Sequence, residues 1–82
     1  MSKLESIKVS ELNDKDLVLV TDQIEIEVIS DLYSPKLKEY GCLFVKVLDG
    51  ELREIWGCVT SVPWLVGNAY PLMIDGLLTD NA

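Results

Sequence analysis

Apolar and polar positions alternate in short runs along this chain, with turn-forming residues between them. That spacing predicts strands rather than long helices. Asp16 to Thr21, DLVLVT, carries Leu and Val at successive positions, which predicts a strand buried on both faces. Asp22-Gln23 then reads as a tight turn, after which Ile24-Glu25-Ile26-Glu27-Val28 alternates cleanly. A period of two predicts a second strand, with Ile24, Ile26 and Val28 toward the core and Glu25 and Glu27 in water. Upstream, residues 1–6 read as a frayed leader. Ile7, Val9 and Leu12 suit a short extended piece entering a turn at Glu11 to Lys15.

The pattern centres on Gly41 to Cys58, GCLFVKVLDGELREIWGC, a β-hairpin about Asp49-Gly50. A two-residue loop would set Lys46 against Arg53 and Val45 against Glu54. Moving the register by one residue sets Lys46 against Glu54, Val45 against Ile55 and Phe44 against Trp56, so that charges and apolar groups find matching partners. Side-chain pairing therefore predicts an odd-length loop such as Leu48-Asp49-Gly50, with Gly50 in the left-handed position. In that register Cys42 and Cys58 share one face.

Proline and glycine punctuate the rest. Ser34 can cap, Pro35 suits a first helical position and Gly41 a helix end, which predicts one or two turns of helix over 34–40 with Leu37 and Tyr40 on one face. Ser61 to Gly67 suits a single helical turn near 61–66. Tyr70 to Ile74 reads as a short edge strand, because Pro71 has no N–H to give a neighbour. It would close at Asp75-Gly76, leaving 79–82 frayed. The expected fold is mainly β: a small antiparallel barrel or curled sheet of four to five strands with one short helix near 34–40. The competing arrangement is an α+β domain with a C-terminal helix near 68–78.

Composition narrows the functions open to such a fold. The chain has 82 residues, 49% of them apolar, which suits a single small domain over 1–82 with one modest core. Fourteen acidic against seven basic residues give a net charge of −7. That field repels phosphate and anionic lipid, so neither direct nucleic-acid binding nor membrane binding is expected. It suits a basic protein surface, although acidity also serves plain solubility. Charges at Lys3, Glu5, Lys8 and Glu11 break the N-terminal pattern, so no signal peptide is read there, and the expected compartment is the cytoplasm.

Catalytic and ligand-binding constellations are sparse. The chain has no histidine, the commonest general base and transition-metal ligand. Two cysteines alone cannot complete a structural zinc site, and the scattered glycines form no phosphate loop. Asn13-Asp14-Lys15-Asp16 lacks the glycine and distal glutamate of a calcium loop. No enzyme activity, cofactor or metal is therefore expected. Cys42 and Cys58 read as small buried residues in a reducing compartment.

Two surfaces stand out. From Val62 to Met73 no residue carries a charge, which makes Trp64, Leu65, Tyr70, Leu72 and Met73 a candidate interface; Val62, Leu65 and Leu72 also suit the core. Asp14, Asp16, Asp22, Glu25, Glu27 and Asp31 form an acidic strip in which Lys15 is the only cation. The leading expectation is a non-catalytic cytoplasmic protein-interaction module, an accessory or adaptor subunit or a homo-oligomer. The alternative is an acidic inhibitor, of the immunity-protein or nucleic-acid-mimic kind, that covers a basic site on a toxin or nuclease.

Overall fold

The computed structural model describes residues 6–65 and 67–82; the side chains of Asn13 and Asp14 lie outside that description, as do residues 1–5 of the leader expected over 1–6. Strands β3 (Cys42–Leu48) and β4 (Glu51–Cys58) form the central hairpin. Asp49 and Gly50 take φ of 55° and 81°. Two successive left-handed residues are what a two-residue hairpin turn needs to match strand twist. Leu48 accordingly faces Glu51 across the turn. The pairs expected from side-chain chemistry are present as well: Lys46 with Glu54, Val45 with Ile55, Phe44 with Trp56 and Cys42 with Cys58. The odd loop is not. A β-bulge between Lys46 and Val47 supplies the one-residue shift and leaves Arg53 without a facing partner.

Around this hairpin lie β2 (Val18–Val20) on β3, and β5 (Asn68–Ile74) on β4. The far side of β5 is shared by β1 (Ile7–Lys8) near its start and β6 (Leu77–Leu78) near its end. All pairings are antiparallel, and the order β1-β5-β4-β3-β2 leaves the six-stranded sheet open. The fold is thus a mainly β, curled antiparallel sheet with one α-helix. It is neither a closed barrel nor the α+β alternative, since 68–78 is strand, turn and strand.

Pro71 sits in a strand flanked on both sides, not in a plain edge strand. Its carbonyl accepts from Thr79 Oγ1 and from Asn81 Nδ2, at 3.3 Å in the second case, on the side away from β4. Because N–H and C=O of one strand residue point the same way, the missing N–H falls in the gap between β1 and β6. Those bonds, with Thr79 N to Leu72 O at 3.0 Å, also hold 79–82, the segment expected to fray.

The largest departure lies at 23–32. The alternating Ile24–Val28 stretch is not a strand but part of helix α1 (Gln23–Leu32). Asp22 caps it, accepting from the Ile24 N–H at 2.8 Å and the Glu25 N–H at 3.4 Å. Glu25 adds a negative charge in the first turn, where the helix dipole favours one. With 3.6 residues per turn, only Ile26 of the three expected core residues reaches the sheet; Ile24 and Val28 point outward. Strand β2 departs too. As the outermost strand it buries Val20 alone and exposes Val18 and Leu19, so it is not covered on both faces.

The helix expected over 34–40 is present as a 3₁₀ segment, Pro35–Glu39, with the Ser34 hydroxyl accepting from the Lys36 N–H at 3.4 Å. It and α1 cover one face of the sheet, where Ile26 and Leu37 pack on Leu43, Val45, Ile55, Leu72 and Met73. A second bulge, between Ile55 and Trp56, turns the consecutive Leu72 and Met73 to that same side. The opposite face is covered by a 3₁₀ segment, Val9–Lys15, where a plain turn was expected over 11–15. There Leu12 packs with Cys42, Trp56, Cys58 and Ala69.

Candidate interaction surfaces

The hairpin register brings the two cysteines directly opposite each other, both fully buried and unbridged. The two thiols act on each other: the neighbouring Cys42 thiol, then burial, pushes Cys58 up, while the Cys58 thiol lowers Cys42 against the effect of burial. Both thiols lie out of contact with solvent. Among the described residues, no three His, Cys, Asp or Glu side chains stand close enough to hold a metal ion.

The uncharged segment divides sharply. Leu72 and Met73, expected at the interface, are buried in the core because the second bulge turns both inward. Tyr70 is half-buried and pairs with the Tyr40 ring, centroids 6.3 Å apart. Trp64 and Leu65 remain, 61% and 70% exposed, and Val59 and Val62 of the same connection are exposed as well. They ride on the expected helical turn, closed by Leu65 N to Val62 O at 3.2 Å, and Val62 N is held by Thr60 Oγ1 at the same distance. The turn's last position, Val66, lies outside the described residues.

Gly67 sets the shape of this loop. A Cβ there would stand 2.8 Å from the Pro63 carbonyl oxygen and 2.9 Å from its Cα, so the backbone can close up only on glycine. The Gly67 carbonyl also accepts from Val9 N at 3.2 Å, tying the loop to the chain's opening strand and turn. Between them lies an open groove of about 560 Å³, lined by Lys8, Val9, Ser10, Pro63, Trp64 and Leu65.

The acidic residues do not form a line along a strand face. Asp22 is engaged at the helix cap, and Asp16 ends the 3₁₀ segment in a left-handed conformation. The Asp14 side chain is outside the described residues. Glu25, Glu27 and Asp31 are exposed on α1, with no ion pair to any of them among the described residues. Lys15, the cation within the strip, lies on the other face of the sheet, its Nζ 5.6 Å from the Trp56 ring centroid.

Sequence reasoning missed one surface altogether. Ile24, Val28 and Leu32 are 74%, 54% and 71% exposed, and spacing by four puts them in one row along α1. Taking 24–28 as a strand had assigned two of them to the core. The signal that finds the helix is Asp22-x-x-Glu25, a cap residue followed three positions later by a glutamate.

No family model and no curated protein matches the chain. Among solved structures it is similar to TTMA177, a hypothetical protein from Thermus thermophilus phage TMA, with a TM-score of 0.69 and 33% sequence identity. The likeness covers 88% of this chain and 99% of the phage chain. With that identity sustained across nearly the whole phage protein, the chain belongs to one family with it.

Proposed function

We propose that this chain is a non-catalytic protein-interaction module that self-associates through the Trp64–Leu65 loop. The observation that supports the reading is the pair itself. A Trp and a Leu stand exposed side by side, next to a groove, in a segment without charge. Exposed aromatic anchors of this kind carry much of the energy of protein interfaces. Two copies meeting there bring no carboxylates of the segment together, so only the overall −7 charge opposes them. Salt screens that repulsion and strengthens the contact. The module is read as cytoplasmic, where a buried, facing pair of thiols stays reduced. No helix among the described residues is long and apolar enough to cross a membrane.

Sedimentation velocity over a concentration series tests the reading. A dimer or larger species is expected, which Trp64→Ala or Leu65→Asp converts to monomer without loss of fold. A folded monomer at every concentration, or an oligomer indifferent to both changes, would count decisively against it. A second reading, an acidic inhibitor of a basic protein, is favoured by the three carboxylates of α1, which make no ion pair among the described residues. Binding of that kind weakens steeply with salt and on charge reversal at Glu25 and Glu27.

A further inference from the structure

Helix α1 is apolar on two sides. Ile26, Ile29 and Ser30 turn toward the sheet. About 200° around the helix from Ile26, at ~100° per residue, stands Val28, with Ile24 a turn before it and Leu32 a turn after. An ordinary surface helix keeps charged and polar groups at that position. Here the charges flank the row instead: Glu25 on one side, Glu27 and Asp31 on the other, and neither Lys nor Arg between Gln23 and Leu32. Nothing among the described residues covers the row, and all three side chains are exposed.

We propose that this outward row of Ile24, Val28 and Leu32 docks a basic amphipathic helix of a partner protein. The partner's apolar stripe lies along the row, and its Lys or Arg residues meet Glu25 on one flank and Glu27 and Asp31 on the other. The acidic flanks select this occupant. A second copy of the chain would set the same carboxylates against each other, with no cation on the helix to separate them. A partner with an apolar stripe and basic flanks satisfies both features at once, in the manner of helix-to-helix packing with charged pairs at the seam. The docking site is separate from the Trp64 loop and independent of self-association. It rests on the acidic-partner reading for the sign of the partner's charge, and adds to it an apolar contact that charge alone does not need.

The probe is a synthetic amphipathic peptide with a leucine stripe flanked by lysines, titrated calorimetrically and by amide chemical-shift mapping. Shifts are expected to concentrate in 23–32. Val28→Glu, which adds negative charge while removing the apolar contact, is expected to weaken binding about tenfold or more, as loss of a central anchor does. Ile24→Glu should do the same, and Val28→Gln should fall in between. Replacing the peptide's lysines with serines, or reversing Glu25 and Glu27 to lysine, is likewise expected to weaken binding about tenfold. Binding unchanged or tightened by Val28→Glu would overturn the proposal while leaving a purely electrostatic partner standing. Absence of binding, or shifts centred on the Trp64 loop, would overturn it as well.

Discussion

The α1 row and the Trp64 loop both present large apolar side chains to solvent, yet the chain builds them in opposite ways. The row lies on regular secondary structure. Its geometry follows from helical spacing, and it is held to the sheet from behind by Ile26, which is fully buried. The loop has a single turn, closed by one backbone bond and by the close approach of Gly67 to Pro63. Their surroundings differ as much. Carboxylates flank the row, while the loop belongs to a segment free of charge from Val62 to Met73. Apolar exposure alone says only that something binds. The charge around it separates a patch that can meet its own copy from one that needs an oppositely charged partner.

The sharpest way to break this contrast is to remove the anchor behind the row. Ile26→Ala leaves a cavity between α1 and the sheet, and truncations of that kind typically cost about 2–5 kcal/mol. For a domain whose whole stability is on the order of 5–15 kcal/mol, that is a large share. Urea unfolding followed by circular dichroism is expected to show the loss. Ile24→Ala, two residues away on the outward side, should move stability by less than about 0.5 kcal/mol. If the two variants matched, the helix would have no distinct inner and outer sides, and its row would not be a surface set apart for a partner.

That same helix shows where the sequence could be read and where it could not. Ile24-Glu25-Ile26-Glu27-Val28 satisfies a two-residue period, but five positions are too few for the period to exclude a helix that buries only one of them. The cap at Asp22 and the glutamate at 25 were legible local signals pointing to the helix. The hairpin register was legible for a different reason: opposite charges and apolar pairs select it whatever lies between. Where the extra residue goes is a separate matter. Asp49-Gly50 prefers a two-residue turn so strongly that the shift moves into a bulge at Arg53. Burial of Leu72 and Met73, and exposure of Val18, were not local properties at all. They depend on a bulge against β4 and on β2 being outermost, facts that only the assembled sheet determines.

The loop can be probed without touching its apolar residues. Gly67→Ala forces the Pro63 backbone to give way and is expected to cost about 1–3 kcal/mol, the range for overpacking at a close contact. It should also weaken self-association, although Trp64 and Leu65 are unchanged. Peptide binding at α1 should be unaffected, because the two sites share no residue. Sedimentation and calorimetry on one preparation read both outcomes. Loss of both activities together would mean that the loop and the row act as one surface.

The smallest expected effect concerns the contact that links the two regions. Tyr40 follows the 3₁₀ segment that packs beside α1, and its ring pairs with Tyr70, on the strand that leaves the Trp64 loop. Burial raises the Tyr40 pKa above its ordinary value of 10.0, with smaller contributions from the Glu39 carboxylate and from Tyr70. The folded chain therefore keeps this proton to higher pH than the unfolded chain does. Above pH 10 the unfolded state binds fewer protons, so stability falls as pH rises toward the folded-state pKa and is level below the unfolded value. Urea midpoints at pH 9 and pH 11 are expected to drop for the wild type, and Tyr40→Phe should flatten part of that drop. An equal drop in the variant would show that the Tyr40 proton does not carry this pH dependence, and that burial at the ring pair leaves the hydroxyl free to ionise as it does in the unfolded chain.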